Sequence, residues 1–206
     1  MTELERLREL LGGTDIYLID QLMKGRIAPG QRILDAGCGG GRNMEPLLRC
    51  GCDVWGVDES ATAMRQCEVL VQELGVERPV GWLSRQRIES LGFGDASFDV
   101  VICNAVLHFA ADIGRFETML KELWRVLAPR GLFFARLATT IGIETLVEPL
   151  GGARFRLPDG STRLLVERDS LVEWGDRLGG TPIEPLKTTV VDRMRAMTTW
   201  CLVKAA

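Results

Sequence analysis

Residues 33–43, ILDAGCGGGRN, read as a short apolar strand that ends in an acid, Asp35, and then turns through Gly37, Gly39 and Gly41. Glycine lets the backbone turn sharply and lets a ligand lie against the main chain where a Cβ would obstruct it. The GxGxxG fingerprint of dinucleotide enzymes needs its third glycine at position 42, which is Arg42. An acid two residues ahead of the first glycine also repels a pyrophosphate and complements an ammonium group. A second strand, residues 53–60 (DVWGVDES), ends in Asp58. It lies about twenty residues beyond the first glycine, where an acid can bridge two ribose hydroxyls. A ligand with a ribose and an ammonium but no diphosphate is expected.

Such a ligand is S-adenosylmethionine, and from this point the chain resembles the class I S-adenosylmethionine-dependent methyltransferases. Residues 91–109, LGFGDASFDVVICNAVLHF, resemble that family's fourth-strand block, and residues 119–134, MLKELWRVLAPRGLFF, its helix, turn and fifth strand. The resemblance implies an α/β, Rossmann-like fold: a seven-stranded, mostly parallel sheet with an antiparallel last strand, strand order 3-2-1-4-5-7-6, and helices on both faces. It also implies methyl transfer from S-adenosyl-L-methionine to an acceptor, with S-adenosyl-L-homocysteine as product.

With 206 residues, one domain is expected over the whole chain. A formal net charge of −3 gives no basic footprint for nucleic acid. A small-molecule acceptor, no membrane association and a monomer or homodimer in the cytoplasm are expected. The N-terminus mixes charges with Leu4, Leu7 and Leu11 at helical spacing and does not resemble a secretion signal. Six cysteines include no CxxC pair, so reduced thiols and no metal site are expected. Cys38 and Cys103 sit where a thiolate-bound acceptor would need them, although buried cysteine is common as a small apolar residue.

Hydrophobic periodicity and turn residues predict strands at 31–36, 80–83, 98–103 and 132–137, and helices at 41–50, 61–74 and 113–127, the last stopped by Pro129 and Gly131. Residues 154–166 read as a hairpin around Pro158, Asp159 and Gly160. A helix near 169–178 and β segments at 183–191 and 196–203 complete the chain. Residues 139–182 are an insertion on the acceptor side, and in many relatives a helical segment such as residues 1–30 lids the cofactor.

The resemblance assigns Asp35 to the methionine end of the cofactor, Gly37, Gly39 and Gly41 to making room, Asp58 to the ribose, Glu59 to the flank of adenine, and Asn104 to the methionine ammonium. Relatives commonly carry an acid near position 87 to receive the adenine amino group, whereas this chain has Arg87, which cannot accept a hydrogen bond. Adenine is then held by the backbone at Ile88, by a stacked Arg87 guanidinium, or by Glu89. His108, the single histidine, is the candidate catalytic base, or else packs beside the following helix. Tyr17 and Arg136 are candidate acceptor-binding residues. Core packing is the competing reading for Tyr17; the guanidiniums of Arg136 and of Arg154, Arg156 and Arg163 on the hairpin can clamp a carboxylate or phosphate on the acceptor, or else form a solvated charged face, the preferred reading for the hairpin set. Since the cofactor carries its own leaving group, a strongly marked acid–base pair need not appear. The competing functions are another transfer from the same cofactor and a non-catalytic S-adenosylmethionine-binding sensor or scaffold.

Overall fold

The computed structural model describes residues 2–206. In chain order the elements are α1 (Glu3–Leu11), α2 (Ile16–Met23), β1 (Arg32–Ala36), α3 (Met44–Arg49), β2 (Asp53–Asp58), α4 (Ala61–Leu74), β3 (Leu83–Arg85), β4 (Phe98–Asn104), α5 (Ile113–Val126) and β5 (Leu127–Ala138). After them come β6 (Glu148–Gly151), β7 (Arg154–Arg156), β8 (Thr162–Leu164), α6 (Arg168–Arg177), β9 (Gly180–Pro182), β10 (Lys187–Val191) and β11 (Arg195–Lys204). The main sheet runs β10-β11-β5-β4-β1-β2-β3, the expected order, with β11 antiparallel to β5. β9 adds an unforeseen strand along the far end of β11.

The central strands are apolar on both faces because two cores flank the sheet. Ile33, Val100, Ile102, Leu132 and Phe134 enter the core shared with α2, α3 and α4. Their alternate neighbours Leu34, Val101, Cys103, Phe133 and Ala135 enter the one shared with α5 and α6. That two-residue alternation into two interiors is the pattern of a parallel sheet covered on both sides. Helix α5 buries Phe116, Met119, Leu120, Leu123 and Trp124 at three- and four-residue spacing, and Ser60 caps α4 by accepting from the Ala63 amide at 3.3 Å. Among the described residues no helix is long and apolar enough to cross a membrane.

The largest differences from the sequence reading concern the third strand, the end of α5 and the hairpin, while the helix expected at 41–50 begins at Met44 and the segment expected at 183–191 is a strand from Lys187. The third strand is Leu83–Arg85 rather than 80–83, because pairing with Gly56–Asp58 of β2 fixes its place, while Val80 is fully exposed ahead of Gly81 in a left-handed turn. Pro129 and Gly131 do not stop α5. The chain becomes extended already at Leu127, and residues 128–131 form a bulge where the register with β4 jumps from Phe98↔Leu127 to Val100↔Leu132. The hairpin β7–β8 is the inner part of a three-stranded antiparallel sheet, with β6 added on its edge.

Candidate active site

The carboxyl ends of β1, β2 and β4 open onto a cavity of about 590 Å³, where ligands enter open α/β sheets. The glycine turn forms its floor, and Asp58, Glu59, Ile88, Glu89 and Asn104 contribute walls. The three glycines do different jobs. Gly37, at φ +83°, is packed so closely on the loop after β4 that a Cβ would fall 2.3 Å from Val106 Cγ2. At Gly39, by contrast, a Cβ would meet open space. Gly37 therefore seats one loop against another, and Gly39 keeps the backbone bare toward the cavity.

Asp58 is locked by main-chain donors, its Oδ2 accepting from the Gly39 amide at 3.0 Å and its Oδ1 from the Ser60 amide at 2.9 Å. Each oxygen keeps a lone pair for a ligand hydroxyl. Asp35 and Asn104 present the opposite situation. Both carboxylate oxygens of Asp35, and both polar side-chain atoms of Asn104, are buried without a hydrogen-bond partner. Orphaned polar groups of this kind cost about 1–3 kcal/mol each until a partner arrives. Burial pushes the Asp35 carboxyl up to about 7, against the pull of Arg42 and with the added push of Asp58. An ammonium group beside it would favour the ionised form and supply the missing donors.

At the far wall Glu89 is held by Arg115 Nε and by Arg87 Nη2 at 3.2 Å, both on its Oε1, while Oε2 is buried and unpartnered. Arg115 also reaches Glu59 at 3.0 Å, spanning the two acids. Arg87 itself is mostly exposed and does not line the cavity.

A second cavity of about 370 Å³ adjoins the first, and Arg42, Ala105 and Phe109 belong to the walls of both. Ala105 takes a left-handed conformation, φ +63°, rare for a residue with a Cβ, and its amide donates to the Arg136 carbonyl at 2.7 Å. His108 and Arg136 line this second space, as does Arg163. His108 is buried, and its Nδ1 accepts from the Ala138 amide at 3.2 Å. Burial, then Arg163 and Arg136, lower its pKa to about 4. The ring is therefore neutral near pH 7, with its proton on Nε2.

Residues 34–135 match the family model described as a methyltransferase domain. The chain carries a methyltransferase domain of class I. A relative from Methylobacterium sp. (strain 4-46), described as a ubiquinone biosynthesis O-methyltransferase, is 37% identical over 106 residues, 52% of this chain and 40% of that protein. This chain thus matches less than half the length of that relative. Among solved structures, magnesium protoporphyrin IX methyltransferase from Synechocystis PCC 6803 with bound SAH superposes with TM-score 0.72 at 21% identity, over 98% of this chain and 94% of that one. The 1,6-didemethyltoxoflavin-N1-methyltransferase of Burkholderia thailandensis, with bound 1,6-didemethyltoxoflavin and S-adenosylhomocysteine, gives 0.69 at 18%, over 99% and 82%. At those identities the likeness concerns the fold.

Within the methyltransferase domain the structure gathers Gly37, Gly39, Gly41, Asp58, Glu59, Ile88 and Asn104 around one cavity, with Asp35 buried at the end of β1 behind it. Four expectations change. Arg87 sits outside the cavity as a partner of Glu89, so it does not stack on a ligand there. His108 lines the second cavity rather than the first, with its Nδ1 already accepting from Ala138 and its protonation opposed by burial, an arrangement that does not favour a base. Tyr17 lines neither cavity: its hydroxyl bonds Thr189 and its ring lies 5.2 Å beneath the Arg136 guanidinium. Among the described residues none before Gly37 lines either cavity, so α1 and α2 contribute no wall to the first one. The Asp15 carboxylate at the start of α2 instead holds Arg136 at 2.9 Å.

Sequence reasoning missed Arg115, whose role depends on two acids far away in the chain, and the apolar walls Leu70, Val106 and Met119. It also missed Arg42 and Arg195 in the second cavity. Arg42 carried a usable signal, occupying the place of the third glycine. The contact of Cys38 with Cys67, together with burial, raises its thiol pKa far above neutrality, and burial does the same for Cys103. They are not thiolates, and among the described residues no cluster of metal-ligating side chains occurs.

Proposed function

We propose that this protein transfers a methyl group from S-adenosylmethionine to a small-molecule acceptor, with the cofactor in the larger cavity and the acceptor entering through the smaller. The observation that carries the reading is a cavity lined by Asp58, a carboxylate fixed by two backbone amides, and by the buried, unpartnered Asn104, with the equally unpartnered carboxylate of Asp35 directly behind it at the end of β1. Vicinal hydroxyls and an ammonium, with no phosphate, satisfy that set. Glu89 Oε2 takes the adenine amino group, and Arg87 and Arg115 hold Glu89 in place for it. When bound, S-adenosylmethionine supplies a methyl group on a sulfonium whose leaving group is a neutral thioether.

The protein's own contribution is alignment and exclusion of water. Arg42, Ala105 and Phe109 wall the junction between the cavities, so an acceptor and the cofactor meet beside the Phe109 ring and the Ala105 methyl, with Arg42 at the same wall. No general base is needed where the acceptor brings an atom that is already nucleophilic at neutral pH. Residues 157–163 wall the acceptor side. A cavity of this size matches a metabolite rather than a nucleic acid strand.

Incubation with methyl-labelled cofactor and a pooled metabolite extract should move label into small products. Asp58→Asn should weaken S-adenosylhomocysteine binding by about 10- to 100-fold, the worth of a charged hydrogen-bond pair. Tight cofactor binding with no label transfer from any extract would favour the sensor reading, and no cofactor binding by the folded wild-type protein would overturn both.

A further inference from the structure

The walls of the second cavity bring together four guanidiniums from four distant segments: Arg42 from the glycine turn, Arg136 from β5, Arg163 from β8 and Arg195 from β11. We infer that the methyl acceptor is an anion, a carboxylate or phosphate, seated among these arginines. The inference rests on the reading that the smaller cavity receives the acceptor.

Converging like charges repel, and a solvated charged face would spread them apart. Here they are concentrated and poorly neutralised. Arg136 has Asp15, and Asp159 lies on the same wall, but after both are set against the arginines two positive charges stand uncompensated. Among the described residues the hydrogen-bond partners of Arg42 and Arg163 are backbone carbonyls alone, Gly13 at 3.4 Å and Thr162 at 2.9 Å. Arg136 Nε is buried with no hydrogen-bond partner among the described residues.

The cluster is also held in shape. Arg163 stacks 4.9 Å over the Phe109 ring, and Arg136 lies over Tyr17 while gripped by Asp15. Phe109 is 57% exposed because it faces the cavities, which places a fixed guanidinium against a wall the two spaces share. The neutral His108 ring adds an Nε2–H donor with no acceptor inside the protein among the described residues. Fork-shaped guanidiniums with one neutral donor suit a planar carboxylate or a phosphate.

Isothermal titration with benzoate, phenyl phosphate and the neutral isostere benzamide tests this, each in the presence and absence of saturating S-adenosylhomocysteine. Benzoate or phenyl phosphate should bind, benzamide should not, and binding should weaken as sodium chloride is raised. Whichever anion binds more tightly identifies the headgroup. Arg163→Gln and Arg195→Gln should each lower anion affinity at least fivefold, with S-adenosylhomocysteine affinity unchanged within twofold. Arg195 is exposed, so its replacement leaves the fold intact even where that of Arg163 disturbs Phe109. Equal binding of benzamide, anion binding indifferent to both substitutions, or no anion binding would overturn the inference. Failure of S-adenosylhomocysteine to bind the wild-type protein, with anion binding retained, would strike the cofactor reading instead.

Discussion

The two adjoining cavities are built on different principles. The larger is floored by one continuous strand–turn–helix and completed by Asp58 on the neighbouring strand, and its polar set is dominated by acids and backbone. The smaller is assembled from side chains that meet only after the whole sheet has formed, and its polar set is dominated by arginines. A cofactor pocket of the first kind is encoded locally and can be shared by many proteins. A substrate pocket of the second kind is rewritten by single substitutions scattered along the chain.

The largest expected effect tests whether the two spaces are as separate as that contrast suggests. Gly37→Ala places a methyl group 2.3 Å from Val106 Cγ2 at a φ of +83°, and should destabilise the fold by about 2–5 kcal/mol through the clash and the backbone strain together. Val106 lies between Ala105 and Phe109, which wall both cavities, so S-adenosylhomocysteine and anion binding should fall together. Adding Val106→Ala removes the nearest contacts while leaving the conformational strain of about 1–3 kcal/mol. The double variant should therefore melt above Gly37→Ala and below wild type. Loss of cofactor binding with anion affinity untouched would show that the shared wall transmits nothing.

A second, smaller effect sets one buried titratable group of each region against the other. Asp35 holds its proton up to about 7 when folded, against 3.8 for the free group. Between those values the folded state binds more protons, so this contribution is present at low pH and is lost as pH rises toward 7. His108 titrates near 4 when folded, against 6.5. Here the unfolded state binds more protons, so the contribution is present above 6.5 and is lost as pH falls toward 4. Each is on the order of a few kcal/mol, and they oppose one another over pH 4–6.5. Denaturation across that range should show Asp35→Asn losing stability on acidification more steeply than wild type, and His108→Asn less steeply. Saturating S-adenosylhomocysteine, whose ammonium favours ionised Asp35, should stabilise the protein more at pH 7 than at pH 5. Parallel profiles for wild type and Asp35→Asn would remove the buried carboxylate from the account.

The same division explains what could be read from the chain beforehand. The glycine turn, Asp58 and the strand order were legible because each depends on residues close in sequence or on blocks in a fixed order. Residues 86–89 lie outside any strand or helix, so no two- or three-residue period says which side chain faces inward; of Arg87, Ile88 and Glu89, left open from the sequence, Ile88 and Glu89 line the wall and Arg87 does not. The third strand was displaced because its place is set by hydrogen bonds to β2 rather than by its own apolar run. The charge on His108 depends on an amide thirty residues away and on an arginine from the added sheet, and neither is visible beside it in the sequence. The arginine cavity was legible only in part: an anion clamp by Arg136 and the hairpin arginines could be raised from the sequence, but that Arg163 rather than Arg154 or Arg156 joins Arg136, together with Arg42 and Arg195, depends on the fold.

The smallest effect is a titration of one proton, and it separates the regions most directly. The chain contains a single histidine, so the imidazole C–H resonances in a proton NMR spectrum belong to His108 without assignment. Their shifts should stay flat through neutrality and move only near pH 4, because burial and the arginines Arg163 and Arg136 oppose a third positive charge. An anion bound among those arginines supplies the missing negative charge, so benzoate or phenyl phosphate at saturation should raise the midpoint, while S-adenosylhomocysteine, seated in the other cavity, should leave it unchanged. A midpoint near 6.5 in the free protein would mean that His108 is accessible to protons and free to accept one from an acceptor, which would return it to the role of base and blur the division between a cavity that holds by backbone and one that holds by charge.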